Sequence, residues 1–233
     1  MSLAGKVCMG KPWDLTAVMQ REKDALMAET RIAQCPPLVA VNNMDDVARV
    51  PSKLRWNHPT TVTALAGARG VAFVVDCPTL ESTVLWVGSF SKEYRRDFLT
   101  FLNGHYELGL AEIPKAFDVD HLYNQSRAQV YGLKFIRMAL VRFGANRSHG
   151  GAYEKDVTTN EAAREHKDMK LMDEITSMKY FGYLSPLRSD PRDSEVDAYA
   201  SFAASQMGLD AVEVKKSVAY LRGKASTPWA RKN

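Results

Sequence analysis

The chain has 233 residues, of which 45% are apolar and 25% are charged, and its formal net charge is +4. This composition is typical of a globular protein, and the length is sufficient to bury a core in one larger domain or in two small ones. No apolar run approaches the roughly 20 residues that a membrane-spanning helix needs. The sequence therefore predicts a protein that does not act in a membrane.

The cysteines and the first residues of the chain bear on its location. Cys8, Cys35 and Cys77 are odd in number and far apart in sequence. This pattern is typical neither of a disulfide framework nor of a zinc site built from cysteines. Residues 1–19 contain charged side chains and no sustained apolar core, so no classical signal peptide is indicated. We expect a cytoplasmic protein, although export through a specialised secretion machine stays open.

The amino-terminal region, residues 1–112, is predicted to be α+β. Helical spacing of apolar residues over 13–33 predicts a first helix, which Pro36 would prevent from continuing. Short β-branched runs separated by Pro, Gly and Asn predict a small sheet, with strands at residues 38–41, 62–65, 71–76 and 83–88. The last two strands are expected to form a hairpin around residues 77–82. Ser91 is expected to cap a second helix, which would stop near Gly104.

The carboxy-terminal region, residues 157–233, is predicted to be helical with a basic tail. Thr159 or Asn160 would cap one helix, which is expected to continue to about Gly182. Two further helices joined near Gly208 are expected at residues 193–207 and 210–221.

Between these regions, residues 113–156 have the layout of a one-metal nuclease site. A short acidic strand ends in Asp120-His121, and Asn146 and His149 follow further along the chain. Phosphodiester cleavage needs a base to activate water and a hard cation to neutralise charge on the phosphate and the leaving oxygen. Neighbouring side chains of a strand point to opposite faces. Asp120 can thus hold a cation while His121 faces the substrate.

These residues resemble the HNH (ββα-metal) endonucleases, and most closely the HNH domains of RNA-guided CRISPR effector nucleases. In that family a first strand ends in Asp-His, a loop leads to a second strand, and a helix brings an Asn or a His to the metal. Here residues 118–121 match the first strand and 135–141 the second, while Asn146 would open the helix. The resemblance covers residues 113–155.

The resemblance implies a role for each residue of the motif. His121 would be the general base, and Asp120 would be a metal ligand. The second protein ligand would be Asn146 or His149, since some members use a His at the helix position. The cation would be Mg²⁺ or Mn²⁺, and an imidazole at the site would also let Zn²⁺ or Ni²⁺ bind.

Basic residues around the motif indicate a partner that carries phosphate. Residues 115–155 contain seven Lys and Arg residues against three Asp and Glu residues. Such side chains beside a metal site would hold a nucleic-acid backbone without reading its sequence. The expected phosphate contacts are Arg147 first, and then Arg127, Lys134 and Lys155.

The whole sequence thus predicts an α+β protein with an embedded HNH-like motif that cuts nucleic acid, DNA in preference to RNA. Two alternatives remain. One is a nucleic-acid-binding protein that keeps the scaffold without cleavage, in which the carboxy-terminal helix pair and basic tail would carry affinity. The other is a structural or partner-binding protein whose Asp-His pair belongs to the core. Whether a protein partner or inhibitor completes the molecule is open.

Overall fold

The computed structural model describes residues 14–33, 35–47, 60–149, 168–186 and 193–225. Within these ranges the chain is a mixed α/β protein with a curled antiparallel sheet and helices packed against it. None of the helices in these ranges combines the length and the apolar character that crossing a bilayer requires.

The strands are β1 Leu38–Val41, β2 Thr61–Ala64, β3 Ala72–Cys77, β4 Ser82–Gly88, β5 Phe117–His121, β6 Phe135–Arg142 and β7 Met169–Leu171. The α-helices are α1 Leu15–Ala33, α2 Tyr94–Tyr106, α3 Gln125–Val130, α4 Phe143–His149, α5 Glu174–Phe181, α6 Asp193–Phe202 and α7 Ala211–Ala225. A 3₁₀ turn at Pro78–Leu80 joins β3 to β4, and a π-helical turn at Ala203–Met207 continues α6.

Strand β6 is the centre of the sheet. The sheet order is β2-β3-β4-β6-β1-β7, and β5 pairs with the second half of β6. All of these pairings are antiparallel. Strands from each of the three regions expected from the sequence therefore pair with one another in this sheet.

The four strands predicted in the amino-terminal region are confirmed as β1 to β4, and β3 and β4 form the expected hairpin. The expected bounds of α2 were wrong at both ends. The helix begins at Tyr94 and Glu93 is its N-cap residue, with no side-chain cap. The Ser91 hydroxyl instead accepts a hydrogen bond from the backbone N–H of Glu93 at 3.2 Å, ahead of the first helical residue. It continues through Gly104 and ends where Glu107 adopts a left-handed conformation with φ of 54°.

The first predicted helix of the carboxy-terminal region was wrong in part. Residues 169–171 form strand β7, because they pair with β1 and complete that edge of the sheet. Helix α5 begins after this strand, where the Asp173 carboxylate accepts a hydrogen bond from the backbone N–H of Thr176 at 2.7 Å. It ends at Gly182, as predicted. Thr159 and Asn160 lie outside the described residues.

The hairpin of β5 and β6 is covered on both faces. On one face Val119, Met138 and Leu140 pack with α2 and the first part of α1. On the other face Ala139 and Val141 belong to the core formed with α5, α6 and α7. Because side chains alternate along a strand, consecutive residues of β5 face these two different environments.

Candidate functional site

The predicted order of strand, strand and helix is present at the motif. Strand β5 pairs with β6 in a register that places His121 opposite Met138, and α4 follows β6 directly. Helix α4 begins at Phe143, so Asn146 lies in its middle and does not open it. The connection between β5 and β6 contains the short helix α3, which the Asn124 side chain caps through the backbone N–H of Arg127 at 3.0 Å.

Asp118 and Asp120 lie on the same face of β5, because they are two residues apart in an extended strand. Both side chains are partly exposed. The Asn146 side chain reaches the first of them, and its Nδ2 donates a hydrogen bond to Oδ2 of Asp118 at 2.9 Å. Two carboxylates and one carboxamide thus lie on the side of the hairpin that faces α4 and α5.

Asp120 forms an ion pair with Lys179 of α5. The Lys179 ammonium lies 2.5 Å from Oδ2 of Asp120, and the two side chains are 3% and 19% exposed respectively. Oδ2 is the buried oxygen of this carboxylate. The pair joins β5 to a helix that lies far from it in the sequence.

His121 faces the other side of β5. Its side chain is buried at 8% exposure, and its ring centroid lies 4.4 Å from that of Tyr94 at the start of α2. The pKa of Tyr94 is raised by burial, and the charges of Asp120 and Asp118 add to this effect against the opposing charge of Arg95. Tyr94 therefore lies in the electrostatic field of both carboxylates while its ring contacts His121.

His149 has a different environment from Asn146. It is buried at 3% exposure, and its Nε2 lies 3.1 Å from the carbonyl oxygen of Tyr183. The neighbouring Ser148 hydroxyl accepts a hydrogen bond from the backbone N–H of Ser185 at 3.0 Å. These two contacts tie the end of α4 to the segment after α5, whereas Asn146 is the α4 residue that contacts the acidic strand.

The predicted phosphate contacts that the structure describes lie on three different segments. Arg147 is exposed on α4, and its guanidinium lies over the Phe143 ring at 4.8 Å. Lys134 precedes β6 by one residue, about 16 Å along the strand from the residue paired with Asp120. Arg127 lies on α3, with its guanidinium 5.4 Å from the Tyr123 ring. Lys155 lies outside the described residues.

The carboxy-terminal helix pair has less free positive charge than its sequence indicates. Three basic side chains of α7 each form an ion pair with a carboxylate, namely Lys215 with Asp197, Lys216 with Glu213, and Arg222 with Asp193. Salt bridges of this exposed kind contribute little to stability, but they reduce the net positive charge that the helix offers to a phosphate backbone.

Asp118, Asp120 and Asn146 carry oxygen atoms of the kind that a hard divalent cation binds. In the described ranges no three His, Cys, Asp or Glu side chains lie close enough to hold a metal together. Asp118, Asp120 and Asn146 instead offer two carboxylates and one amide oxygen. Mg²⁺ is commonly held by one or two carboxylates and completes its coordination with waters and substrate phosphates, so such an incomplete set of oxygens is suitable for it.

Sequence reasoning missed three residues of this site. Asp118 carries the same alternation signal as Asp120, because it lies two residues earlier on the same face. Tyr94 and Lys179 come from distant segments, and no local pattern marks either of them as a neighbour of the motif.

Comparison with known proteins finds no matching protein family, no similar curated protein and no similar solved structure. Inferences about function therefore depend on the geometry of the motif and on the chemistry of its residues.

Proposed function

We propose that this protein is a metal-dependent endonuclease that hydrolyses phosphodiester bonds in nucleic acid, DNA in preference to RNA. The observation that carries the proposal is the hydrogen bond between Asn146 and Asp118. It joins the helix residue that we expect to bind metal to Asp118, which lies two residues before Asp120 on the acidic strand.

Each residue has a proposed part in the reaction. Asp118, Asp120 and the Asn146 amide oxygen would hold one Mg²⁺ or Mn²⁺, which when bound would neutralise charge on the scissile phosphate and the leaving oxygen. His121 would accept a proton from the attacking water. It is the last residue of β5, so it and Asp120 border the same end of the strand from opposite sides.

Arg147 would orient the substrate. Its guanidinium is exposed on the helix that carries Asn146, so it could bind a phosphate next to the one being cut. Such a contact does not read bases, and we propose cleavage with little sequence preference. We propose the cytoplasm as the place of action, in keeping with the free thiols of Cys35 and Cys77.

The test is cleavage of supercoiled plasmid, single-stranded DNA and RNA in Mg²⁺ or Mn²⁺. The wild-type protein is expected to cut at least one of them, and Asp120→Asn and Asn146→Ala are expected to abolish cleavage. Asp197→Asn is the matched control, because Asp197 is an exposed carboxylate paired with Lys215 on the carboxy-terminal helices. Equal cleavage by Asp120→Asn and the control would refute the proposal.

A second candidate is a protein that binds nucleic acid without cutting it. The observation in its favour is the ammonium of Lys179, which already supplies a positive charge to Asp120. In this case a labelled duplex would bind with equal affinity in Mg²⁺ and in EDTA, and binding would weaken steeply with added salt. Metal-dependent cleavage by the wild-type protein would exclude this candidate.

A further inference from the structure

Lys179 is a buried cation at the candidate metal site. Its side chain is 3% exposed, and its ammonium contacts the buried oxygen Oδ2 of Asp120. The Asp120 side chain keeps 19% exposure, so the carboxyl group can be approached from the side away from Lys179. A metal ion arriving from solvent would therefore share this carboxylate with an ammonium that is already bound.

The net charge of the site changes when a metal ion and a phosphate bind. Asp118 and Asp120 carry two negative charges, and Lys179 cancels one of them. A divalent cation alone would leave the group with a net charge of +1. A phosphodiester carries one negative charge, and with it the group would be neutral.

The magnitudes decide between two opposite effects of Lys179. Support of a metal ligand by a neighbouring hydrogen-bonding group typically raises metal affinity by about 10- to 100-fold. Repulsion acts in the other direction, since a unit charge and a divalent charge about 5 Å apart repel by the equivalent of more than about a thousandfold in affinity at an effective permittivity of about 20. The repulsive effect is the larger, even after allowance for screening by water.

We propose that Lys179 makes divalent-cation binding at this site depend on a nucleic-acid phosphate, so that the metal binds tightly only together with the phosphodiester. This inference rests on the proposed function, because it takes the cation and the phosphate from there. Lys179 is then a specificity-determining residue that disfavours the metal-loaded site in the absence of substrate. The coupling is reciprocal, so the metal strengthens phosphate binding by the same factor.

The experiment is titration of the folded protein with Mn²⁺, followed by electron paramagnetic resonance of the free ion, with and without a short DNA duplex. The duplex alone is titrated as well, because DNA binds Mn²⁺ by itself. The variants are Lys179→Met, whose unbranched side chain is one atom shorter and carries no charge, and Lys216→Met as the matched control on the exposed surface of α7. Lys179→Gln serves the same purpose if Lys179→Met does not fold, as judged by circular dichroism.

For the wild type and the control, the duplex is expected to raise Mn²⁺ affinity at least about tenfold. Lys179→Met is expected to bind Mn²⁺ at least about tenfold more tightly than the wild type without DNA, so that tight binding no longer needs the duplex. If its affinity without DNA is equal to or weaker than that of the wild type, the inference is wrong.

Failure of the proposed function has a different signature. In that case the wild type and Asp120→Asn would bind Mn²⁺ equally weakly with the duplex present, and Lys179→Met would do the same. If Asp120→Asn lowers Mn²⁺ affinity but Lys179→Met leaves it unchanged, only the inference on Lys179 is wrong and the proposed function stands.

Discussion

The side chain of Asn146 is hydrogen-bonded to that of Asp118, with 2.9 Å between Nδ2 of the amide and Oδ2 of the carboxylate. This bond joins the middle of α4 to β5, and it places an amide next to a strand face that also carries Asp120. The geometry separates the residues of this face from His121, which packs on the opposite face against Tyr94.

Asp118→Asn is expected to weaken metal binding without unfolding the protein. The new amide oxygen can still accept the hydrogen bond from Asn146, so the free energy of unfolding should fall by only about 1 kcal/mol. Loss of one carboxylate charge should lower Mn²⁺ affinity, measured with DNA present, by about tenfold or more. Unchanged affinity in a titration followed by electron paramagnetic resonance would remove Asp118 from the proposed ligands.

Asn103→Ala provides the matched comparison for loss of a side-chain amide. Asn103 exchanges two hydrogen bonds of 2.8 Å with the backbone of Leu110, away from the candidate site. Its replacement should lower the free energy of unfolding by about 1 to 3 kcal/mol and leave Mn²⁺ affinity unchanged. Asn146→Ala should do the reverse. It should lower the free energy of Mn²⁺ binding by more than it lowers the free energy of unfolding.

His121→Asn is expected to separate catalysis from metal binding. Because His121 is buried on the face opposite Asp120, its replacement should leave Mn²⁺ affinity unchanged while it abolishes cleavage. Loss of the ring contact with Tyr94 should lower the free energy of unfolding by about 1 to 3 kcal/mol. Cleavage at the wild-type rate would show that another group is the base. Tyr94→Phe keeps the ring contact, so it is the control for the packing effect.

The free energy of unfolding is expected to depend on pH through Glu22. Burial raises the pKa of this carboxyl group from 4.5 to about 8, against the opposing charge of Arg137 and a hydrogen bond with the backbone of Leu140. Between these two values the folded state holds the proton that the unfolded state has lost, so stability falls as pH rises. The contribution is complete below the unfolded pKa and is lost as pH passes through the folded pKa, with a slope of at most about 1.4 kcal/mol per pH unit.

Glu22→Gln should remove this dependence, because an amide does not titrate. Urea unfolding at several pH values between about 5 and 9 measures it, and the variant should be more stable than the wild type at the alkaline end. Parallel pH profiles for the two proteins would contradict the assignment to Glu22.

The buried ion pair between Arg137 and Glu29 is expected to show strong coupling. Their closest atoms lie 2.8 Å apart, and the side chains are 5% and 10% exposed. Removing either partner, as in Arg137→Met or Glu29→Gln, should lower the free energy of unfolding by about 3 to 5 kcal/mol, because a charge is left buried without its partner. The double variant should lose much less than the sum of the two single losses.

The exposed pair of Lys215 and Asp197 is the control for this double-mutant cycle. Its side chains are 49% and 62% exposed, so we expect a coupling of at most about 1 kcal/mol. Both coupling energies are measured by urea unfolding. Equal values for the two pairs would contradict the claim that burial strengthens the coupling of Arg137 with Glu29.

The local elements of the fold could be predicted where periodicity and terminators agree. The first helix, the strands β1 to β4 and the hairpin at Cys77–Ser82 follow from such signals, and so does the end of α5 at Gly182. The prediction failed at residues 169–171. Their apolar spacing is compatible with a helix, but they pair with β1 and form a strand. A strand of this length has no local signal strong enough to outweigh the helical pattern around it.

The order of strand, strand and helix at the motif follows from the sequence alone. The opposite sides of Asp120 and His121 follow from it too, because side chains alternate along a strand. Which distant side chains meet the motif depends on the tertiary structure. Lys179 comes from α5 and Tyr94 from α2, and both reach β5 because helices cover the two faces of the hairpin. Contacts between such separated segments depend on the packing of the whole core, which no local pattern of residues encodes.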